Sequence, residues 1–332
     1  MTVINGTEID NIEYKNNSIK EAILNNDPIE EKLNVIVVIS NPCLYARRYI
    51  LMKQFVDRIE KYDSATVNLF IVELAYKNQK YMVTNRTNPN HLQLRTEVPL
   101  WHKENMINIA VRKLLPKNYK AFAWIDADLE FESCTWAKDT LKILNGSKDI
   151  VQLFSHASDL DSDETSMRVF NSGGYQYTKQ LPFCGKGDNF WHPGFAWAIT
   201  RRAYEKIGGL YELGILGSGD NIMMFSLLSN GLKAINSNSS DGYKQSIVDY
   251  ERKIKHLRFG YVPGLIRHYF HGSKANRRYT ERWQILIKHE YDPFTHIMYD
   301  AKSGLIVPNL VFFSEELKED IMNYFRERLE DT

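Results

Sequence analysis

Cysteine is nearly missing from this chain. Three residues, Cys43, Cys134 and Cys184, are spread over 332 positions with no Cys-x-x-Cys pair. That excludes a disulfide framework and a zinc knuckle and suits a reducing compartment, so a cytoplasmic location is expected. An excess of either charge is missing too. Lys plus Arg total 42 against 41 for Asp plus Glu, a formal net charge of +1, which leaves no broad electrostatic grip on nucleic acid or anionic lipid. No apolar run approaches the ~18–20 residues of a membrane span, so no transmembrane segment is expected. Residues 1–32 are polar and rich in Asn, lack the apolar stretch of a signal peptide, and read as a loose or helical lead-in. There is no internal repeat and no long Pro/Gly/Ser linker. Asn-x-Ser/Thr triplets such as Asn85-Arg86-Thr87 are what an Asn-rich chain produces by chance. What is present is a globular composition, 43% hydrophobic and 25% charged, which excludes a disordered or collagen-like chain. The 19 Tyr and 6 Trp supply either a large core or stacking surfaces.

The hydrophobic pattern alternates between two periods. Leu33-Asn-Val-Ile-Val-Val-Ile-Ser40 is a β-branched run ended by Asn41-Pro42, the signature of a strand buried on both faces, as in a parallel sheet. Residues 44–61 have helical spacing, and Val67–Leu74 is a second strand, giving a β-α-β opening. A strand near His91–Thr96, a helix over Trp101–Leu115 stopped by Pro116, the short strand Ala121–Ile125, a helix near Trp136–Leu144 and a strand over Ile150–Phe154 continue the series. From Ser155 to Trp191 the pattern dissolves into polar loop. Strand Phe195–Thr200 and helix Arg201–Ile207, closed by Gly208-Gly209, restore it. A helix over Asp220–Leu228, a strand over Leu265–Phe270 and a helix over Arg277–His289 follow. A terminal helix, Ser314–Leu329, is expected to be capped by Ser314 and to dock through Leu317, Ile321, Phe325 and Leu329. Alternating strands and helices predict an open α/β sheet.

The segment most suggestive of chemistry is Phe122-Ala-Trp-Ile-Asp126-Ala-Asp128-Leu-Glu-Phe131. In an extended chain, residues two apart share a side, so Asp126 and Asp128 leave the end of a buried strand together, where open α/β sheets bind ligands. Paired carboxylates suit Mg²⁺ or Mn²⁺, which could bridge a diphosphate and offset the charge that builds as it leaves. Asp-x-Asp also arises by chance; its place directly after a strand is what raises it. The denser run Asp159-Leu-Asp161-Ser-Asp163 resembles a calcium loop only superficially. Glu164 stands where the turn glycine belongs and Phe170 where the closing glutamate does. It reads as a solvated loop, or as a lid.

Asp126-Ala-Asp128 after an apolar strand resembles the metal-binding motif of nucleotide-sugar glycosyltransferases of the GT-A fold. His192-Pro-Gly-Phe-Ala-Trp-Ala-Ile-Thr-Arg-Arg-Ala-Tyr-Glu-Lys-Ile-Gly-Gly-Leu-Tyr-Glu212, followed by Gly217-Ser-Gly-Asp220-Asn221, resembles the acceptor side of family 2 and polypeptide GalNAc-transferase-like enzymes. Trp101-His-Lys-Glu-Asn105, the Trp124–Trp136 block and Val151-Gln-Leu-Phe-Ser155 are similar to transferases of large DNA viruses, phages and bacteria; a viral source would make the location host cytoplasm. The resemblance spans roughly residues 33–290. It implies a Rossmann-like, mixed and mostly parallel central sheet flanked by helices, in one large α/β domain. The nucleotide-binding half would be 33–135 and the acceptor half 136–290, with a C-terminal helical extension at 291–332.

The same resemblance implies roles. Ser40, Asn41 and Pro42 would cradle the nucleotide. Glu73 would accept hydrogen bonds from base or ribose, unless it is simply a charged strand end. Arg95, Lys103 and Asn105 would reach diphosphate or sugar. Asp126 would face ribose and metal, and Asp128 the metal. A C-terminal His often completes the metal set. Here His268 and His271 compete for that place, since on one continuous strand they would point to opposite faces. Lys274, Arg277, Arg278 and Arg282 would cover the diphosphate, or form a charged helix face. Trp191, His192, Gly194 and Trp197 would make the sugar and acceptor platform, or a Trp-rich core. Asp220 would orient or deprotonate the acceptor hydroxyl. The neighbouring Asn221 departs from the inverting pattern, which has a base there, and leaves retaining and inverting outcomes both open.

Three functions follow. The first is a Mn²⁺- or Mg²⁺-dependent glycosyltransferase that moves a sugar from a nucleoside-diphosphate sugar, UDP favoured, to a glycan or glycoprotein acceptor. The near-neutral charge disfavours a nucleobase acceptor. The second is a sugar nucleotidyltransferase, which usually carries an early Gly-rich basic loop that Ser40-Asn41-Pro42 is not. The third is a non-catalytic carbohydrate-binding protein on the same fold.

Overall fold

Leu33–Ser40 is apolar on both sides of its pleat, so it is stable only with both faces covered. It forms β1, in the interior of the larger sheet. Its Val35 and Val37 pack beneath one layer of helices, and Ile36 packs beneath the opposite layer. The computed structural model describes residues 3–4, 7–8, 25–182, 191–277 and 281–331. After β1 come α1 (Ala46–Arg58), β2 (Val67–Tyr76), β3 (His91–Thr96), α2 (Lys103–Lys113), β4 (Ala121–Ile125), β5 (Leu129–Phe131) and α3 (Trp136–Leu144). The chain continues through β6 (Ile150–Gln152), β7 (His156–Leu160), β8 (Ser166–Ser172), β9 (Trp191–His192), β10 (Ala196–Thr200), α4 (Arg201–Ile207), α5 (Gly219–Leu227) and α6 (Asp241–Ile254). It ends with β11 (Phe259–Tyr261), β12 (Leu265–His268), α7 (Arg282–Lys288) and α8 (Glu315–Glu327).

The seven-stranded sheet has the order β11-β6-β10-β4-β1-β2-β3. Strands β1 to β4 pair in parallel, as do β6 and β11, and β10 runs against both its neighbours. The fold is therefore α/β, a mixed and mostly parallel sheet with helices on both faces. Helix α1 covers one face through Met52 and Phe55, and α2 covers the other through Met106, Ile107 and Ala110.

A second sheet of five strands, β9-β8-β7-β12-β5, adjoins the first. The tripeptide Asp126-Ala-Asp128 links β4 of the large sheet to β5 of the small one. Its ends are fixed by backbone bonds: Asp126 N–H donates to Phe195 O at 2.8 Å, and Tyr269 N–H donates to Asp128 O at 2.8 Å. The motif thus sits at the seam where the two sheets diverge.

Several expected elements differ. The polar stretch after Ser155 is not loop throughout; it holds β7 and β8, an antiparallel pair, and a short helix over Gly173–Thr178. The first four residues of β8 are exposed, so its sequence carries little alternation, and pairing with β7 is what makes it a strand. Positions 183–190 lie outside the described residues. The expected strand 265–270 stops at His268, and of the expected helix 277–289 the described residues show α7, with positions 278–280 outside the described residues. In α8, Ser314 Oγ accepts from Leu317 N–H at 3.1 Å, and Leu317, Ile321 and Phe325 enter the main core. Leu329, expected on the same row, is 49% exposed, because the helix ends before it and its φ is +43°.

Candidate functional site

The carboxyl ends of β1 and β4 open into a cavity of about 460 Å³, within the range of ligand pockets. Ser40 and Arg48 form its floor. Asp126, Asp128, His268 and His271 form one wall, and Asp220 and Asn221 another. Trp101, Arg282 and Trp283 also line it.

Asp128 is the centre of the first wall. Its Oδ2 lies 2.8 Å from His271 Nε2 and 3.7 Å from His268 Nε2. One ligand atom from each of the three side chains falls within 4.8 Å of the others. Both histidines arrive because β12 ends at His268. His271 lies in the irregular backbone beyond it, so the opposite-face rule for a continuous strand does not apply. Asp128 Oδ1 is buried without a hydrogen-bond partner, a costly condition for a carboxylate oxygen. Two imidazole nitrogens and one carboxylate, with one of its own oxygens buried and unsatisfied, fit a divalent ion. The nitrogen share favours Mn²⁺ over Mg²⁺. Burial opposes ionisation of Asp128, but His271 and His268 outweigh it and hold the carboxyl well below the usual range. Burial likewise opposes protonation of His268, and Asp128 and Asp159 outweigh it, raising its pKa.

Asp126 does not join this triad. The link 126–128 is a turn rather than an extended segment, so the two carboxylates separate. Asp126 pairs with Lys103, on the first turn of α2. Burial raises its pKa, Lys103 opposes that, and Asp128 and Asp220 add to it.

Asp220 begins α5 beside Ser218, which adopts φ +73°. Its Oδ1 accepts from Asn221 N–H at 2.8 Å. A Cβ on Gly194 would stand 2.3 Å from Asp220 Oδ2, so only glycine leaves the carboxylate where it is. Gly194→Ala is expected to push the Asp220 carboxylate aside; if Asp220 acts on the reacting groups, an ångström-scale misplacement of this kind costs roughly 10²-fold in kcat. A steady-state assay with a melting curve as folding control checks this.

Behind this wall lies Glu104, buried against Gly219 and accepting from Trp101 Nε1–H at 3.2 Å. Burial pushes its carboxyl up to about 7; Lys103 opposes this and Asp220 adds to it. The folded state therefore holds this proton more tightly than the unfolded chain. Its contribution to stability is full below the ordinary glutamate range and declines as pH rises to about 7. Glu104→Gln should be more stable than wild type at pH 8 by on the order of 3 kcal/mol, with the difference fading toward pH 4. Denaturant melts at both pH values measure it.

Other sequence candidates fall on both sides of the cavity wall. Ser40, Lys103, His192 and Asp220 line it. Asn41 and Pro42 line a small recess next to it, and the Asn41 amide is used by the Tyr45 backbone at 2.8 and 3.0 Å. Five candidates do not reach the cavity. Glu73 is 3% exposed, and its carboxylate accepts from the N–H groups of Met82, Val83 and Thr84 and from the Thr84 hydroxyl. Arg95 donates to the carbonyls of Lys77 and Gln79 and stacks on Tyr81. Asn105 bonds to Glu212, Gly304 O and Ile306 N–H, because residues two apart on α2 face away from each other and Lys103 takes the cavity side. Trp191 packs edge-on to Phe225, and Trp197 is 1% exposed between Trp124 and Phe259; these are core residues. The side chain of Lys274, and Arg278 entirely, lie outside the described residues. Arg277 and Arg282 line the cavity, the former 2.6 Å from His271 Nε2.

The sequence reading missed Arg48, Trp101, Asp159, Arg328 and Glu330. Glu330 is 1% exposed. Its carboxylate takes Arg48 through Nε and Nη2 and Arg328 Nε at 2.6 Å, and lies 3.8 Å from His271 Nδ1. Arg48 Nη1 donates to Ser40 O at 2.9 Å, and Arg328 stacks on Trp101. Asp331 caps α1, accepting from Ala46 and Arg47 N–H at 3.0 and 2.8 Å. The residues after α8 therefore build the cavity floor. Nothing in their spacing signals this; only their charge could have drawn notice.

No protein-family model matches the chain, and no curated protein matches it. Among solved structures, a protein assigned as a nucleotide-diphospho-sugar transferase from Desulfovibrio desulfuricans G20 is 12% identical. It covers 72% of this chain and 82% of its own, with a TM-score of 0.31. One assigned as a glucose-1-phosphate thymidylyltransferase from Bacillus anthracis is 8% identical over 71% of this chain and 88% of its own, with a TM-score of 0.36. The inositol-1-phosphate CTP transferase from T. maritima is 7% identical over 89% and 97%, with a TM-score of 0.34. Likenesses this distant carry no argument about the site, which rests on its residues. No described helix is long and apolar enough to cross a membrane.

Proposed function

We propose that the protein is a metal-dependent glycosyltransferase. It moves a sugar from a nucleoside-diphosphate sugar, UDP favoured, to a hydroxyl of a glycan or glycoprotein acceptor. The observation that carries this reading is one cavity with Asp128, His268 and His271 on one wall and Asp220 on another. A divalent ion held by the three would supply Lewis-acid stabilisation of the leaving diphosphate. Arg277 and Arg282 add positive charge where that diphosphate would lie, and Lys103 holds Asp126 in place. Trp101 and Trp283 supply aromatic lining for the base or sugar. Asp220 orients the acceptor hydroxyl and can accept its proton, which Asn221 cannot do.

The test is a thermal-shift panel of UDP-, GDP- and dTDP-sugars with and without Mn²⁺, followed by donor hydrolysis. Stabilisation by one nucleotide sugar that depends on Mn²⁺, together with metal-dependent hydrolysis, is expected. Failure of every nucleotide sugar under every metal would sink the reading. Pyrophosphate release from a nucleoside triphosphate and a sugar phosphate would replace it with a nucleotidyltransferase.

A further inference from the structure

Asp159 has no part in the transfer just described, and its neighbours Asp161 and Asp163 belong to an ordinary hairpin turn. Asp161 Oδ1 accepts from Asp163 and Thr165 N–H at 2.9 and 2.8 Å, out in solvent. Asp159 differs from both. It lies on β7, is 3% exposed, and faces His268 in the parallel register between β7 and β12. Its Oδ1 stands 2.7 Å from His268 Nδ1, while the other ring nitrogen, Nε2, looks toward Asp128. The Phe195 ring packs against the same imidazole at 4.6 Å and limits its rotation.

We propose that Asp159 is a positioning residue of the metal site, acting through His268. It holds the proton on Nδ1 and so presents the Nε2 lone pair to the cation. The inference rests on the metal reading above and deepens it. Three considerations support it. A carboxylate is expensive to bury, and a buried ion pair generally stabilises no better than apolar residues of the same volume. Fold stability alone is therefore a weak reason for this pair. A ligating imidazole needs its second nitrogen held by an acceptor, and a carboxylate there both selects the tautomer and makes the ring a stronger donor. The geometry also runs in one line, from Asp159 through His268 to Asp128, whose second oxygen is the buried atom without a partner.

The experiment is a Mn²⁺ titration of the nucleotide-free protein, with free ion read by electron paramagnetic resonance. It compares wild type, Asp159→Asn, His268→Asn and the double variant, each with a melting curve. Asp159→Asn should bind Mn²⁺ roughly 10- to 100-fold more weakly, and the double variant should bind no more weakly than His268→Asn alone. Undiminished Mn²⁺ affinity in Asp159→Asn, or losses that multiply in the double variant, would overturn the proposal while leaving the transferase reading intact. A wild-type chain that binds no Mn²⁺ would overturn both. Should Asp159→Asn fail to fold, ¹⁵N shifts of the wild-type imidazole, at a pH where the ring is neutral, report the tautomer. A proton on Nδ1 supports the proposal, and one on Nε2 ends it.

Discussion

Asp128→Asn should lower metal-dependent donor turnover by roughly 10³-fold, with Mn²⁺ binding lost in parallel. The figure follows from the several kcal/mol that a metal contributes to leaving-group stabilisation, at one decade per 1.4 kcal/mol. The loss is expected to be larger than for any other substitution on this wall. Asp128 alone faces both histidines, and its Oδ1 is the described oxygen of the triad with no other employment. Asparagine keeps the size of the side chain, so the melting temperature isolates the electrostatic effect from misfolding. Asp126→Asn is the informative contrast. That carboxylate is engaged by Lys103, so its replacement should weaken turnover less and leave Mn²⁺ affinity closer to wild type. Equal loss of Mn²⁺ affinity in both variants would return Asp126 to the ligand set.

Glu330→Gln is expected to be the most damaging single change for stability among the site residues. It would leave Arg48 half-buried and Arg328 buried without their carboxylate. Breaking one side of a buried ion pair typically costs about 3–5 kcal/mol. For a chain of this length that corresponds to a fall in melting temperature of roughly 4–7 °C. A second effect accompanies the first. Arg48 also holds the Ser40 carbonyl at the end of β1, so its release loosens the cavity floor and donor affinity should fall even below the melting temperature. Calorimetry and nucleotide titration on the same sample separate the two. A variant that melts like wild type would show that Arg48 and Arg328 find other partners.

The two halves of the site were unequally legible, and the reason is physical. Asp126, Asp128, Asp220 and Gly194 lie at ends of strands or beginnings of helices, where hydrophobic periodicity stops and local chemistry stands out. They could be picked from spacing, and all line or shape the cavity. His268 and His271 were both visible, but the choice between them rested on a strand continuing to Phe270. The end of the strand at His268 removed that constraint and brought the pair together. Asp159 looks like a loop residue in the sequence because its strand, His156–Leu160, places Ser158 and Asp159 at buried positions, and so polar a segment reads as a strand only once its pairing partners are known. Trp191 and Trp197 went the other way. Aromatic rings near a glycine motif suggested a sugar platform, yet Trp197 lies on β10, an interior strand with every residue buried, and Trp191, on the edge strand β9, is buried against Phe225.

What the chain determines by itself is the alternation of buried strands and amphipathic helices, and with it an α/β sheet whose strand ends gather carboxylates. Period and burial are local properties, written within a few residues of each other. Which carboxylates meet which cations was decided only in three dimensions. Asp128 meets His268 and His271 across more than 130 positions, and Glu330 meets Arg48 across 282. Contacts at such separations leave no periodic trace, because they depend on where two sheets part and where a terminal helix delivers its last residues.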